Sequence, residues 1–347
     1  SWGGLGMPQN NYFWGYLRNE LLWGITSYHE NSMASVFLDH SLNARFQGAF
    51  LPNASGCGRG GIPQEGTQYG RYLLGYSVVP FVTAGLLGRP LYGETNFFRS
   101  SIFYLIYSTT PAPTVLRGAS NRYYELFPNN DDQFWRYGSS ASGGEYGHFM
   151  TAMSEVWNGL PLGAYARRWL SMTNPTRAAF VRSVANGGAE QEFSSLPLDY
   201  FAPGPQYLYG RNAWGPNSTT FNAQFGPLEG AGHGHLDFGN WQMWRNGRWL
   251  SRETVAYSEN LTGYANNGVV TAGNSLMHNV ILMNGRGLAD APVNGPAVVR
   301  RLESRPDYTY VAADLTPVYR NNLVPYARAD RDNPVVAHVE REFLFLR

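Results

Sequence analysis

The chain has 347 residues, enough to bury a large core in one or two domains, and a formal net charge of +1, so no global field draws in polyanions such as nucleic acid. No apolar run approaches the roughly 18 residues that cross a bilayer, and the start, "SWGGLGMPQNNYF", lacks the basic and apolar regions of a signal peptide. The single cysteine, Cys57, excludes an internal disulfide framework and any Cys-rich zinc site. All the cationic side chains apart from histidine are arginine, as a GC-rich genome would give, and arginine forks also suit carboxylates and sulfates. Abundant Trp, Tyr, Phe, Asn and Gly fit both a large aromatic core and a cleft that takes sugar rings.

Along the chain, the first half reads as helices separated by Gly/Pro/Asn loops. "YFWGYLRNELLWGITSY" and "SMASVFLDHSLNARFQGAF" carry apolar residues at helical spacing, with a break at His29–Asn31. "EGTQYGRYLLGYSVVPFVTAGLL", "NFFRSSIFYLIYST", "GHFMTAMSEVWNG", "LGAYARRWLSM" and "TRAAFVRSVAN" follow. Such hairpins with aromatic inner faces predict a helical toroid over residues 1–200. Near residue 200 the character changes to a stretch rich in Pro, Gly, Asn and aromatics. Short alternating runs come after it: "NWQMWRNGRWLSRETVAY" with a hairpin turn at Asn246–Gly247, then "SLMHNVILMNGRG", "AVVRRLES", "YTYVAADL" and "VVAHVEREFLFLR". These predict an antiparallel β-sandwich over residues 201–347, and a final strand that stops at "EFLFLR" suggests a piece of a longer protein.

The segment "GAGHGHLDFGNWQMWRNGRW" concentrates the chemistry. His233 and His235, two of only seven histidines, stand at i and i+2, so on a strand they point to one face. Two imidazoles on one face suit a metal, a catalytic base, or one of each. Glu253 and His278 lie within reach on neighbouring segments, and two histidines with one carboxylate and an open position form a familiar zinc set. Each alone reads first as a hydrogen-bonded core or loop residue; together they favour a metal or active site.

At this point the sequence resembles a family. "LYGRNAWG…LEGAGHGHLDFGNWQMWRNGRWLSRETVAY…GNSLMHNVILMNGRG" is similar to the heparinase II/III-like polysaccharide lyases, which include heparin and heparan sulfate lyases and several alginate lyases. The family's stations are His-X-His-X-Asp-X-Gly, then a strand like Gly-X-X-Leu-X-Asp, then Ser-X-X-His-Asn, and all three occur here in order. "GGIPQEGTQYGRYLLGY" resembles the Glu-Gly-X-X-Tyr segment of the helical half, and "QNNYFWGYLRNELLWGI" its Asn/His helix start. The resemblance spans about residues 8–345 and is most specific in the β half.

It implies an α+β protein, an incomplete (α/α) toroid followed by an antiparallel β-sandwich, that cleaves an anionic uronic-acid polysaccharide by β-elimination. Removing the proton beside a carboxylate builds negative charge there, which amides, imidazolium or arginine must neutralise, while an acid protonates the leaving O4. By resemblance, Tyr69 is that acid and Asn10 and Asn11 grip the carboxylate. His233 is base or neutraliser, with Glu65 near the substrate. The Arg211 fork suits either the substrate carboxylate or a structural pairing. His235, Glu253 and His278 are implied ligands of a structural zinc ion, although glutamate stands where aspartate is usual. Tyr12 follows the two asparagines where the family can place a histidine. The resemblance also implies a periplasmic or secreted protein that acts without membrane or nucleic acid.

Two other readings use other residues. A toroid glycoside hydrolase would rely on paired carboxylates among Glu65, Asp131 and Asp132. A non-catalytic polysaccharide-binding protein would keep the fold and lose the chemistry. His29 and Glu30 are expected at a surface turn, and the Asn-X-Ser/Thr sites at Asn53, Asn217 and Asn260 matter only in a glycosylating host. Without the family context, Asn10 and Asn11 would be read as a helix N-cap and Tyr69 as an ordinary helical aromatic.

Overall fold

A computed structural model of the chain describes residues 6–115, 122–129, 144–184, 188–226, 235–253, 275–283, 287–288, 296–320 and 336–347. His233, Asp131, Asp132 and Asn260 lie outside the described residues.

The helices come first. α1 (Asn11–Thr26) begins where the Asn10 side chain accepts the Tyr12 amide, and its apolar stripe of Phe13, Trp14, Leu17 and Leu21 turns inward. α2 (Ala34–Asp39) runs through a π-helical stretch, His40–Phe50, into α3 (Leu51–Ser55), so the second predicted helix is continuous but widened in its middle. α4 (Gly66–Leu86) is buried along its first two turns and contains Pro80, which cannot donate to the ladder. α5 (Phe97–Ser108) is buried almost all round, the signature of a central helix. α6 (Gly144–Val156), α7 (Pro161–Thr173) and α8 (Pro175–Val184) complete the helical half. Trp14 ties it together: its ring meets Phe50 edge-on at 4.8 Å and approaches Phe81 and Phe98.

The strands follow, apart from a small ribbon of β1 (Thr114–Val115) and β2 (Arg122–Tyr123). β3 (Asp199–Ala202), β4 (Tyr207–Arg211), β5 (Thr220–Gln224), β6 (Asn240–Arg245) and β7 (Arg248–Ser251) form one antiparallel sheet in chain order. Three of these strands lie in the Pro/Gly/Asn-rich stretch that begins near residue 200. Its prolines fall between the strands, at 203, 205 and 216, and of its glycines only Gly210 lies within one, β4. The β6–β7 turn is the two-residue hairpin expected at Asn246–Gly247, both with positive φ (48° and 77°). A second sheet has the order β10 (Glu340–Leu346), β9 (Tyr308–Asp314), β8 (Val298–Ser304), with the short helix α9 (Thr316–Tyr319) following β9.

One expectation fails. "SLMHNVILM" is not a strand: Ser275–Met277 is a 3₁₀ turn, and of the residues after it only Met283 makes a β-bridge. Side-chain tethers hold it instead, with the Ser275 hydroxyl donating to Leu236 O at 2.9 Å and the Asn279 amide to Trp241 O at 2.9 Å.

β4 and β5 are buried on both faces. One face, with Leu208, Phe221 and Ala223, packs against the second sheet through a cluster that includes Val311 and Phe345. Phe221 and Phe345 stack at 5.8 Å. The other face joins the core of the helices: Tyr207, Tyr209 and Trp244 belong to the same apolar cluster as Trp14 and Phe98. Tyr107 of α5 stacks on Tyr200 of β3 at 5.2 Å. Helices and sheet therefore share one continuous core.

The loop before α4 brings the chain hard against α5. Gly61, at φ +70°, would put a Cβ 2.2 Å from Ser101 N. Gly61→Ala should therefore cost about 3 kcal/mol or more, the upper end for single changes; urea unfolding with no change in midpoint would contradict this packing.

Candidate active site and metal centre

Two groups of polar residues meet where the helices cover the inner face of the five-stranded sheet. The first lies at the N-termini of α1 and α4. Glu65, the residue before α4, is buried, and its Oε2 accepts the Asn11 backbone amide at 2.7 Å. The carboxylate thus sits on the positive end of α1 while introducing α4. Asn10 uses its carbonyl oxygen to cap α1, which leaves its NH₂ group as a donor. The Asn11 side-chain oxygen is buried without a hydrogen bond among the described residues. Tyr69, on the first turn of α4, is half-buried, its ring edge-on to Tyr72 at 6.1 Å. Tyr69, Asn10, Asn11 and Glu65 are thus gathered at two adjoining helix starts.

The second group is His235, Glu253 and His278, all buried, with one donor atom from each lying within 4.8 Å of the others. His278 Nδ1 touches Glu253 Oε1, His235 Nδ1 is 4.0 Å from the same oxygen, and the two imidazoles are 5.1 Å apart, tilted by 38°. Donors that share one tetrahedral zinc ion at about 2.1 Å lie roughly 3.4 Å apart, so this cluster brackets the required spacing. The donor chemistry fits as well, since neither carboxylate oxygen of Glu253 makes a hydrogen bond among the described residues. Burial pushes the Glu253 carboxyl up to about 8, against the pull of His235 and Arg252. Burial also lifts Asp237 to about 7, and Glu253 beside it adds to the rise. A buried cation would relieve both.

Each ligand is held by a different device. Glu253 N donates to Gln242 Oε1 at 3.1 Å, which fixes the residue that follows β7. Asn279, next to His278, accepts nothing from a ladder but donates its backbone amide to Asn240 Oδ1 at 3.1 Å and its side-chain amide to Trp241 O and Ser251 Oγ. Ser275 ties the same turn to Leu236 O, beside His235. The Ser-X-X-His-Asn spacing is thus a tether at each end of one histidine.

A buried amide network joins the two groups. The paired positions Asn222↔Gln242 on β5 and β6 bring their side chains together, with Gln224 two residues on. Gln224 Nε2 donates to Asn129 Oδ1 (2.7 Å), Pro128 O (3.0 Å) and Asn222 Oδ1 (2.9 Å), and Gln242 Nε2 to Pro128 O (2.8 Å) and Asn222 Oδ1 (3.0 Å). Asn129 Nδ2 reaches Tyr209 OH at 3.0 Å, while its backbone exchanges two bonds with Thr67, two residues before Tyr69. A continuous path thus runs from the first turn of α4 to Glu253. The sequence reading missed Asn129, Asn222, Gln224, Gln242 and Asn279. The available signal was the alternation of amides with apolar residues in "TFNAQF" and "NWQMW", which marks a strand with one amide-rich buried face.

Arg211 lies elsewhere. Tyr207, Tyr209 and Arg211 share a face of β4, and Asp237 and Glu253 both push up the Tyr207 hydroxyl, behind burial itself. Arg211 is four residues along, roughly 13 Å from that end, with its guanidinium on Trp214 at 3.8 Å and donating to Tyr107 O at 2.9 Å. His29 and Glu30 are exposed in the turn after α1, as expected.

With this geometry in view, comparison with solved structures finds, among others, a heparinase III and a heparan sulfate lyase. A heparinase III structure matches with TM-score 0.53 and 14% identity over 89% of this chain and 43% of its own. The heparan sulfate lyase HepC of Pedobacter heparinus matches with TM-score 0.55 and 11% identity over 95% of this chain and 43% of its own. The chain has a heparinase-like fold. It spans about two fifths of the length of these structures. No protein-family model and no curated protein matches the sequence. No helix among the described residues is long and apolar enough to cross a membrane.

Two outcomes test the site. Zinc added to metal-stripped protein should raise the melting temperature with one-to-one saturation, and Glu253→Gln should remove that response; elemental analysis without a stoichiometric divalent metal, together with a flat titration, would refute the centre. Gln242→Leu takes away two buried donors and the acceptor of Glu253 N, so it should cost about 2–4 kcal/mol in denaturant unfolding and weaken the zinc response with it.

Proposed function

We propose that this chain is a polysaccharide lyase that cleaves a uronic-acid-containing polysaccharide by β-elimination, leaving a 4,5-unsaturated uronate. The observation that carries the reading is the joining of two groups in a heparinase-like fold: Asn10, Asn11, Glu65 and Tyr69 at two helix starts, and His235, Glu253 and His278 on segments beside the sheet, linked through Asn129. The architecture proposed with it is a helical (α/α) toroid over residues 1–200 and a β-sandwich over 201–347. A periplasmic or secreted location goes with a polymeric substrate.

In the proposed mechanism the Asn10 side-chain amide and Asn11 hold the uronate carboxylate at the N-terminus of α1, where the helix end favours negative charge. As the C5 proton leaves, charge accumulates on that carboxylate; His233 takes the proton as base, or, where His233 only neutralises the carboxylate, Tyr69 takes it and passes it on to O4. The C5–H electrons form the C4–C5 double bond, the C4–O4 bond breaks, and the Tyr69 hydroxyl delivers a proton to O4. No water is consumed. Glu65 holds α1 and α4 in register beneath the substrate through the Asn11 amide. His235, Glu253 and His278 would hold a zinc ion that braces the segment carrying His233 and takes no part in proton transfer.

The decisive experiment is incubation with a panel of uronic-acid polysaccharides, read by ultraviolet absorbance of the conjugated product. Turnover on one of them is expected, and Tyr69→Phe should lower it by about 10²-fold or more while binding persists. His233→Ala should be severe and His29→Ala near wild type. Cleavage without ultraviolet absorbance would identify a hydrolase, and binding without cleavage a carbohydrate-binding protein; either outcome removes the lyase.

A further inference from the structure

Arg211 poses a question that the proposed cleft does not answer. It is 3% exposed, and burial lowers its pKa only to about 10, so it remains a cation at neutral pH. No carboxylate pairs with it among the described residues. Of its five donors it uses one, Nη2 to Tyr107 O, while Nε is buried without a partner and Nη1 makes no bond. Arg167, also buried, shows the structural alternative: its guanidinium meets Ala189 O, Ser154 O and Asn158 Oδ1. Arg211 has the ring of Trp214 at 3.8 Å and little else. A desolvated cation with a single hydrogen-bond acceptor is costly, and an anion would offset that cost.

Arg211 also lines a cavity of about 280 Å³ between the C-terminal end of α5, α7 and the β4–β5 connection. Tyr124, Arg168, Glu192 and Ser194 line it too. Glu192 is held by Arg168 at 3.1 Å, so the two arginines and one glutamate leave the cavity with a net positive charge. The Tyr124 and Ser194 hydroxyls make no hydrogen bond among the described residues and stand open to ligand hydroxyls. The volume suits one sugar ring rather than a chain.

We infer that this cavity is a second saccharide site, separate from the proposed cleft, that takes a single hexuronate unit with its carboxylate on Arg211 and its ring hydroxyls toward Tyr124 and Ser194. It would hold a uronate end or branch of a polymer, and its existence does not depend on the chemistry assigned to Tyr69.

Sodium glucuronate is the probe, followed by calorimetry and thermal shift on the whole chain, with glucose and sodium sulfate at matched ionic strength as comparisons. Saturable binding of glucuronate is expected, with little from glucose or sulfate. Arg211→Gln should abolish it, and Arg168→Gln, on the rim and tolerant of change, should weaken it about threefold or more. Tyr124→Phe should weaken it as well. Should Arg211→Gln fail to fold, the two rim variants decide. Equal binding of sulfate, or glucuronate binding untouched by the Arg168 and Tyr124 changes, overturns the site. Asn11→Ala separates the two readings: binding lost there but kept in Arg211→Gln places glucuronate in the proposed cleft, which refutes this second site and leaves the lyase standing.

Discussion

The structure depends on the buried amide cluster between the helices and the five-stranded sheet. Asn222, Gln224 and Gln242 stand on two neighbouring strands; the Gln224 and Gln242 amides both donate to Pro128 O and Asn222 Oδ1, and Gln224 also reaches Asn129 Oδ1. Any one of these amides left unsatisfied would cost about 1–3 kcal/mol, and low local polarity makes the cluster cooperative. Such a network tolerates one arrangement only, and so sets the sheet against the helices more strictly than the aromatic core around it. Aromatic contacts such as Tyr107 on Tyr200 supply burial without fixing a single register.

Registration of this kind is what the proposed chemistry requires. The residues assigned to the substrate come from helix starts, and those assigned to the metal come from segments tethered to β6 and β7, so their separation is set by what lies between. Asn129 grips Thr67 on one side and Gln224 on the other, and Gln242 passes the constraint to the Glu253 backbone. The carboxylate of Glu65 does similar work at smaller scale, fastening α1 to the loop that opens α4. These supporting groups carry no chemistry themselves; they hold the groups that do.

Electrostatics divides the two sites in different ways. At the candidate metal centre two buried carboxyls, Asp237 and Glu253, are pushed upward by burial, Asp237 further by the nearby Glu253, and the cluster is short of positive charge. At Arg211 the shortage is of negative charge. One strand, β4, runs between these opposite demands, with Tyr207 at one end and Arg211 at the other.

Much of this was legible in the sequence. Helical periodicity marked α1 and α4, and the apolar run "NFFRSSIFYLIYST" marked α5, which is buried almost all round. Asn246–Gly247 marked its hairpin, because only a pair that accepts positive φ closes that turn. The histidines and Glu253 were identifiable because a metal ligand set restricts residue type and spacing. Asn129 was not, since nothing local distinguishes an asparagine in "FPNND" that bridges two layers from one that caps a turn. The segment around His278 reads as a strand by its alternation, yet it folds as a turn because Ser275 and Asn279 find their partners in β6 and beside His235. Local pattern therefore determined the elements and the chemical types of the site. Only the tertiary structure decided which residues meet, because hydrogen bonds across 95 or more residues, such as Gln224 to Asn129, leave no periodicity in the chain.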